Sequence, residues 1–109
     1  MNEQSNELSL GAREQRYAGR PLLRLLDCYV LALTGHLEPA MEAKVGAIVT
    51  RTFGGGSDWK GTLRRTVDLP ADMDEKIRAL WRAQPADSDP LAFAVAVSDE
   101  NFVPLIDPL

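Results

Sequence analysis

The sequence predicts an all-α fold: a small bundle or irregular array of four to five short helices with a flexible N-terminal tail. Three observations predict it. Apolar residues recur at intervals of three and four, prolines and glycines separate these stretches, and no second segment offers a partner for a β-strand. The chain has 109 residues, 45% hydrophobic and 26% charged, which suits one domain with an ordinary core.

The first helix is expected to be central. Residues 1–19 are polar and are expected to form a mobile tail, which leaves residues 20–109 as a single helical domain. Pro21 suits a first helical position, and Gly35 suits the C-terminal cap. Between them, Leu23 and Leu31 lie off the main apolar stripe, which consists of Leu22, Leu25, Leu26, Tyr29, Val30 and Leu33. A helix that is apolar on more than one side is typically central or in contact with a second chain.

A glycine run separates the next two helices. Pro39 marks the start of the second, whose apolar face is expected to comprise Met41, Val45, Ile48, Val49 and Phe53. Glycines at 54–56 do not stay helical without a large entropic cost. Ser57 or Asp58 is then expected to cap a third helix that buries Trp59, Leu63 and Val67.

The fourth helix is expected to begin at Asp72, where Glu75 completes a pattern similar to a capping box. Its buried face is expected to comprise Met73, Ile77, Leu80 and Trp81. Residues 91–97 fit two patterns, since large apolar residues alternate with alanines as in a strand, whereas alanine and the Asp89-Pro90 start favour a helix. We expect a helix over residues 90–99 and an irregular end over residues 102–109.

The residue inventory excludes several kinds of site. One cysteine and one histidine cannot form a structural zinc site, and a single cysteine excludes a disulfide within the chain. Cys28 and His36 are eight residues apart, about 12 Å along a helix, which is too far for a thiol–imidazole pair. The acidic residues at helix starts are expected to act as caps. We therefore expect no catalytic residue, metal or cofactor, and the sequence favours a protein that is not an enzyme.

Residues 54–65 form the most distinctive candidate site. The order Lys60-Gly61-Thr62 does not match a P-loop, and Trp59 occupies the last glycine position of a nucleophile elbow. A glycine loop that enters a helix N-terminus can still hold an anion through its N–H groups. The candidate ligand-binding residues are Gly55, Gly56, Ser57, Lys60 and Arg64. The other interpretation is a plain connection that requires positive φ, with Asp58 filling the cap.

The charge of the chain narrows the classes of partner that it can be expected to bind. The formal net charge is −4, with a balance of +2 over residues 1–65 and −6 over residues 66–109. An acidic chain argues against nucleic acid, and the arginines at 13, 16, 20 and 24 are expected to be solvated. The uneven charge suits a protein partner or an antiparallel self-association, and equally a solvated acidic face. No apolar run approaches the roughly 20 residues of a membrane span, so we expect no membrane contact and a cytoplasmic location.

These observations favour a non-catalytic protein–protein interaction or accessory module, acting as a homodimer or on another protein. Its interaction surface is expected to include Leu23, Leu31, Trp59 and Trp81, because off-stripe leucines and tryptophans are suited to contact a partner. The alternative is a small-molecule or phosphate-like anion-binding protein that uses the loop and helix start from Gly54 to Arg65.

Overall fold

A computed structural model describes residues 15–106, and every regular element in this range is helical. Five helices have nine or more residues: α1 (Pro21–Leu33), α2 (Pro39–Phe53), α3 (Trp59–Val67), α4 (Met73–Arg82) and α5 (Pro90–Asn101). The all-α prediction is confirmed, but the described range contains more helices than the predicted four to five, because short helices lie at both of its ends. Of the predicted N-terminal tail, residues 1–14 lie outside the described range, and residues 15–17 are helical.

The C-terminal end differs from expectation. A sixth helix, α6 (Val103–Ile106), follows α5 after one residue, so the prediction of an irregular end is wrong for residues 103–106, whereas residues 107–109 lie outside the described range. Pro104 is compatible with this helix because it lies in the first turn, where its missing N–H has no helical acceptor. Phe102 between the two helices is fully buried and holds this end of the chain against the core.

The ambiguous segment 91–97 lies within α5 and is helical. Pro90 occupies the first turn, and the Asp89 carboxylate accepts a hydrogen bond from the Leu91 N–H at 3.1 Å. This start favours the helical alternative because cap and proline together satisfy the first turn. The inward face of α5 is formed by small or β-branched residues, Ala94, Val97 and Ser98.

Helix α1 is the centre of the fold, as its composition predicts. It contacts α2, α4, α5 and α6, and its contact with α5 is the most extensive. Leu23, Leu26, Tyr29 and Val30 are at most 1% exposed, so Leu23 lies in the core although it is off the main stripe. A helix surrounded in this way needs apolar residues on several sides, which explains the pattern.

The helix caps agree with the predictions from the sequence at some helix ends and differ from them at others. Gly35 has φ +79° and ends α1, where the His36 N–H bonds the Leu31 carbonyl at 2.8 Å. The prediction of a capping box at the start of α4 is wrong. Asp72 has φ −93° and ψ 15°, and its side chain makes no capping hydrogen bond. An N-cap side chain reaches the first-turn N–H groups from an extended backbone, which Asp72 lacks. Glu75 instead pairs with Arg78 at 2.7 Å.

The lengths of these helices bear on whether any of them could cross a membrane. The longest helix between residues 15 and 106 is α2, with 15 residues. No helix in that range combines the length and apolar character needed to cross a bilayer.

Candidate functional site

An open groove of about 860 Å³ lies between α1 and α2 and reaches the start of α5. Its apolar lining comes from all three regions and from the α1–α2 connection: Leu25, Cys28, Leu31, Leu37, Met41, Val45, Ile48, Pro90 and Leu91. Concave apolar surfaces of this size are where proteins most often bind ligands or other chains. We therefore take the α1–α2 groove as the candidate site.

The exposed wall of the groove belongs to α2. Val45 is buried, whereas Met41 and Ile48, four residues before it and three after, are 44% and 39% exposed. Residues with this spacing share one helix face. The sequence placed Met41, Ile48 and Phe53 on one apolar stripe with Val45 and Val49, but only part of that stripe is buried, because α1 and α3 cover only the faces that carry Val45, Val49 and Gly46. Two neighbouring large apolar side chains therefore remain in contact with solvent.

Helix α3 holds α2 from the side away from the groove. Gly46 permits close approach, since a Cβ there would lie 3.2 Å from Cδ1 of Trp59. The Lys60 ammonium then pairs with Glu42 at 3.0 Å and lies over the Trp59 ring. These contacts position α2 so that its Met41–Ile48 face borders the groove.

A buried ionic cluster lies at the Tyr17 and Asp27 end of the groove lining. Asp27 on α1 is 1% exposed, and its two carboxylate oxygens accept hydrogen bonds from Nε and Nη2 of Arg16 at 2.8 and 3.0 Å. Tyr17 also donates to Asp27, and Nη1 of Arg16 donates to Asp99 on α5 at 2.8 Å. The expectation that Arg16 is solvated is therefore wrong, because a buried carboxylate attracts it.

The protonation of this cluster suits a structural role. Burial alone would lower the pKa of Arg16, but the hydrogen bonds and charges of Asp27 and Asp99 outweigh it and raise that pKa. Burial and the neighbouring Asp27 raise the pKa of Tyr17. Both groups therefore keep their protons at neutral pH, and the cluster fastens residues 15–17 to α1 and α5 rather than exchanging protons.

Cys28 lies in the groove lining as a partly buried thiol. Burial, with a further contribution from the Asp27 charge, raises its pKa from 9.0 to about 11, although Arg24 acts in the opposite direction. The thiolate is the nucleophile, so alkylation by iodoacetamide near pH 7.5 should be about 100-fold slower than for a thiol of unshifted pKa. Mass spectrometry should show a rate that keeps rising by about tenfold per pH unit beyond pH 9. A plateau at pH 9, as expected of the urea-unfolded chain, would contradict this.

The glycine connection adopts the positive φ values that one interpretation of the sequence required. Gly54, Gly55 and Gly56 have φ of +84°, +89° and +62°. Asp58 accepts a hydrogen bond from the Gly61 N–H at 3.0 Å and so fills the cap of α3, as predicted. Ser57 is exposed beside it.

The structure does not bring the two predicted cations of the anion site to this loop. Lys60 pairs with Glu42 on α2, and Nε of Arg64 lies 3.4 Å from the Asp74 carboxylate, which also accepts a hydrogen bond from Tyr29. Anion binding by Gly55, Gly56, Ser57, Lys60 and Arg64 thus stays a prediction, and acidic partners on α2 and α4 compete for its cations.

The predicted interaction residues fall in different places. Leu23 and Trp59 are 1% and 6% exposed and belong to the core. Leu31 is half-buried in the groove lining, and Trp81 is half-buried against His36 and Phe93, with ring centroids 5.1 and 5.0 Å away. The exposed groove residues missed by sequence reasoning carry only a weak signal, namely their position at the edge of the α2 apolar stripe.

The described residues contain no cluster of three or more His, Cys, Asp or Glu side chains arranged to hold a metal ion. The α1–α2 groove, with its exposed apolar wall, is therefore the candidate site in this part of the chain. Comparison of the chain with known protein families, with curated proteins and with solved structures found no match.

Proposed function

We propose that the protein is a non-catalytic interaction module that binds another polypeptide through the α1–α2 groove. The exposure of Met41 and Ile48 beside buried Val45 carries this proposal. Covering such side chains with a partner is favourable by about 25 cal/mol for each Å² of apolar surface removed from water. Contiguous exposed apolar surface of this kind commonly marks an interaction site.

The shape and rim of the groove suit an amphipathic helix. A groove between two helices accepts a third helix that presents apolar residues at intervals of three and four. Met41 adds an adaptable side chain to the wall. Charged residues of both signs, Arg24, Glu38, Lys44 and Asp89, surround the apolar lining and would orient the bound helix. The proposal also includes the cytoplasmic location and the lack of a cofactor that we expect from the sequence.

Site-specific photo-crosslinking in cells tests the proposal. A photoreactive phenylalanine analogue at position 48 should crosslink the full chain to another polypeptide, and a Met41→Glu substitution should remove that product because it places a charge in the apolar wall. The matched control carries the analogue at Ala79, which is exposed on α4. No product from position 48, or the same product from position 79, would contradict the proposal.

A further inference from the structure

We propose that the partner of the α1–α2 groove presents an acidic amphipathic helix, with carboxylates flanking its apolar stripe on both sides. This inference rests on the proposed function because it states the chemistry of the segment bound in the same groove. Two exposed cations in the groove lining carry it, Arg24 on the α1 wall and Lys44 on the α2 wall. Among residues 15–106, neither cation has a carboxylate partner.

Both cations lie beside the apolar surface of the groove. On α2, Lys44 lies three residues after Met41 and four before Ile48, so the three side chains share one side of the helix. On α1, Arg24 lies four residues before Cys28, which also lines the groove. A helix lying along the groove would therefore meet one cation at each edge of its apolar stripe, as the flanking residues of a coiled coil do.

The acidic residues of the groove rim are already offset by helix N-termini. Glu38 and Asp89 are the N-cap residues of α2 and α5, and the Asp89 carboxylate accepts a hydrogen bond from the Leu91 N–H at 3.1 Å. A helix N-terminus carries roughly half a positive charge, which attracts such carboxylates. Asp27, the third acidic residue described in the lining, is paired with Arg16 at 2.8 Å.

The two cations have no comparable compensation. Arg24 lies in the first turn of α1, which contains no acidic residue, so the helix N-terminus adds to its positive charge. Tyr17 packs against Arg24, with 5.3 Å between Cζ and the ring centroid, and this contact holds the guanidinium without neutralising it. Lys44 is the sixth residue of α2 and lies beyond its first turn. The groove therefore presents uncompensated positive charge beside apolar surface, which is complementary to carboxylates on a bound helix.

Photo-crosslinking from position 48 identifies the bound segment, and charge reversal tests its chemistry. Mass spectrometry of the crosslinked product should map the analogue to a segment with apolar residues three and four apart and with Asp or Glu on both flanks. Arg24→Glu and Lys44→Glu should each lower the yield of that product about fivefold, because each replaces an attraction by a repulsion. Lys76→Glu and Arg82→Glu reverse exposed cations on α4 and are the matched controls, which should leave the yield unchanged.

A synthetic peptide of the mapped segment, titrated against the full chain by fluorescence anisotropy at low salt, gives the second measurement. The double variant Arg24→Glu/Lys44→Glu should bind this peptide about tenfold more weakly than the natural chain does. Replacing the flanking carboxylates of the peptide with lysines should recover its affinity for the double variant to within about threefold.

The outcomes separate this inference from the proposed function. A mapped segment without flanking carboxylates, a crosslink that the groove reversals weaken no more than the α4 controls do, or a double variant that the lysine peptide does not rescue would overturn this inference alone. Absence of any crosslink from position 48 in the otherwise natural chain would overturn both.

Discussion

Replacing Arg16 with alanine is expected to lower the free energy of unfolding by about 3 kcal/mol, because the Asp27 carboxylate would stay buried without its cation. Asp27 is 1% exposed and receives two of its hydrogen bonds from Arg16. A loss of this size is a large fraction of the roughly 5–15 kcal/mol that holds a typical domain folded. The substitution would also release residues 15–17 from α1 and α5.

Urea unfolding of a small variant set measures this effect. Asp99→Asn removes the exposed partner of Arg16 and should cost less than about 1 kcal/mol. The double variant Arg16→Ala/Asp27→Asn should cost less than the two single changes added together, since no uncompensated charge remains buried. If Arg16→Ala costs no more than Asp99→Asn, the buried pair does not contribute as proposed.

Replacing Gly55 with alanine is expected to lower the free energy of unfolding by about 2–3 kcal/mol, through backbone strain and a steric clash. Gly55 has φ +89°, and a Cβ there would lie 1.9 Å from Oγ1 of Thr62. Thr62 is buried, and this oxygen donates to the Asp58 carbonyl at 2.9 Å, so it cannot move aside without losing a hydrogen bond. The loop must therefore shift away from α3.

Gly56 provides the matched control because it shares the strained backbone without the clash. Its φ is +62°, and a Cβ would meet no atom within 4 Å. Gly56→Ala should therefore cost only about 1 kcal/mol, the conformational part alone. Thr62→Ala in the Gly55→Ala background should recover part of the loss. Equal costs for the two glycines in thermal or urea unfolding would show that close packing on Thr62 is not the reason for Gly55.

Predictions based on neighbouring residues were mostly right where one pattern dominated. Pro21, Pro39 and the Asp89-Pro90 pair mark the starts of α1, α2 and α5, since each proline suits a first helical turn. Asp72 shows the limit of such reasoning. Its spacing to Glu75 resembles a capping box, but the turn before α4 gives it a backbone conformation from which it cannot cap.

The candidate site was harder to predict from the sequence than the helices were. The α2 stripe contains Met41 and Ile48 beside Val45 and Val49, and only their position at its edge distinguishes the exposed residues from the covered ones. Arg16 likewise has the sequence pattern of a solvated arginine, and only the folded structure shows that it binds Asp27 on α1. Both outcomes depend on which helix packs against which face, a property of contacts distant along the chain.

The sequence by itself determined the helical class, the main helix starts, the central position of α1 and the positive-φ connection at residues 54–56. These features follow from proline and glycine geometry and from the spacing of apolar residues, which act over a few positions. Only the tertiary structure decided that α1 and α3 leave one face of α2 open, that Lys60 and Arg64 turn to Glu42 and Asp74, and that Arg16 neutralises Asp27. The physical reason is that burial and ion pairing depend on the packing of whole helices, which apolar periodicity constrains without specifying a unique arrangement.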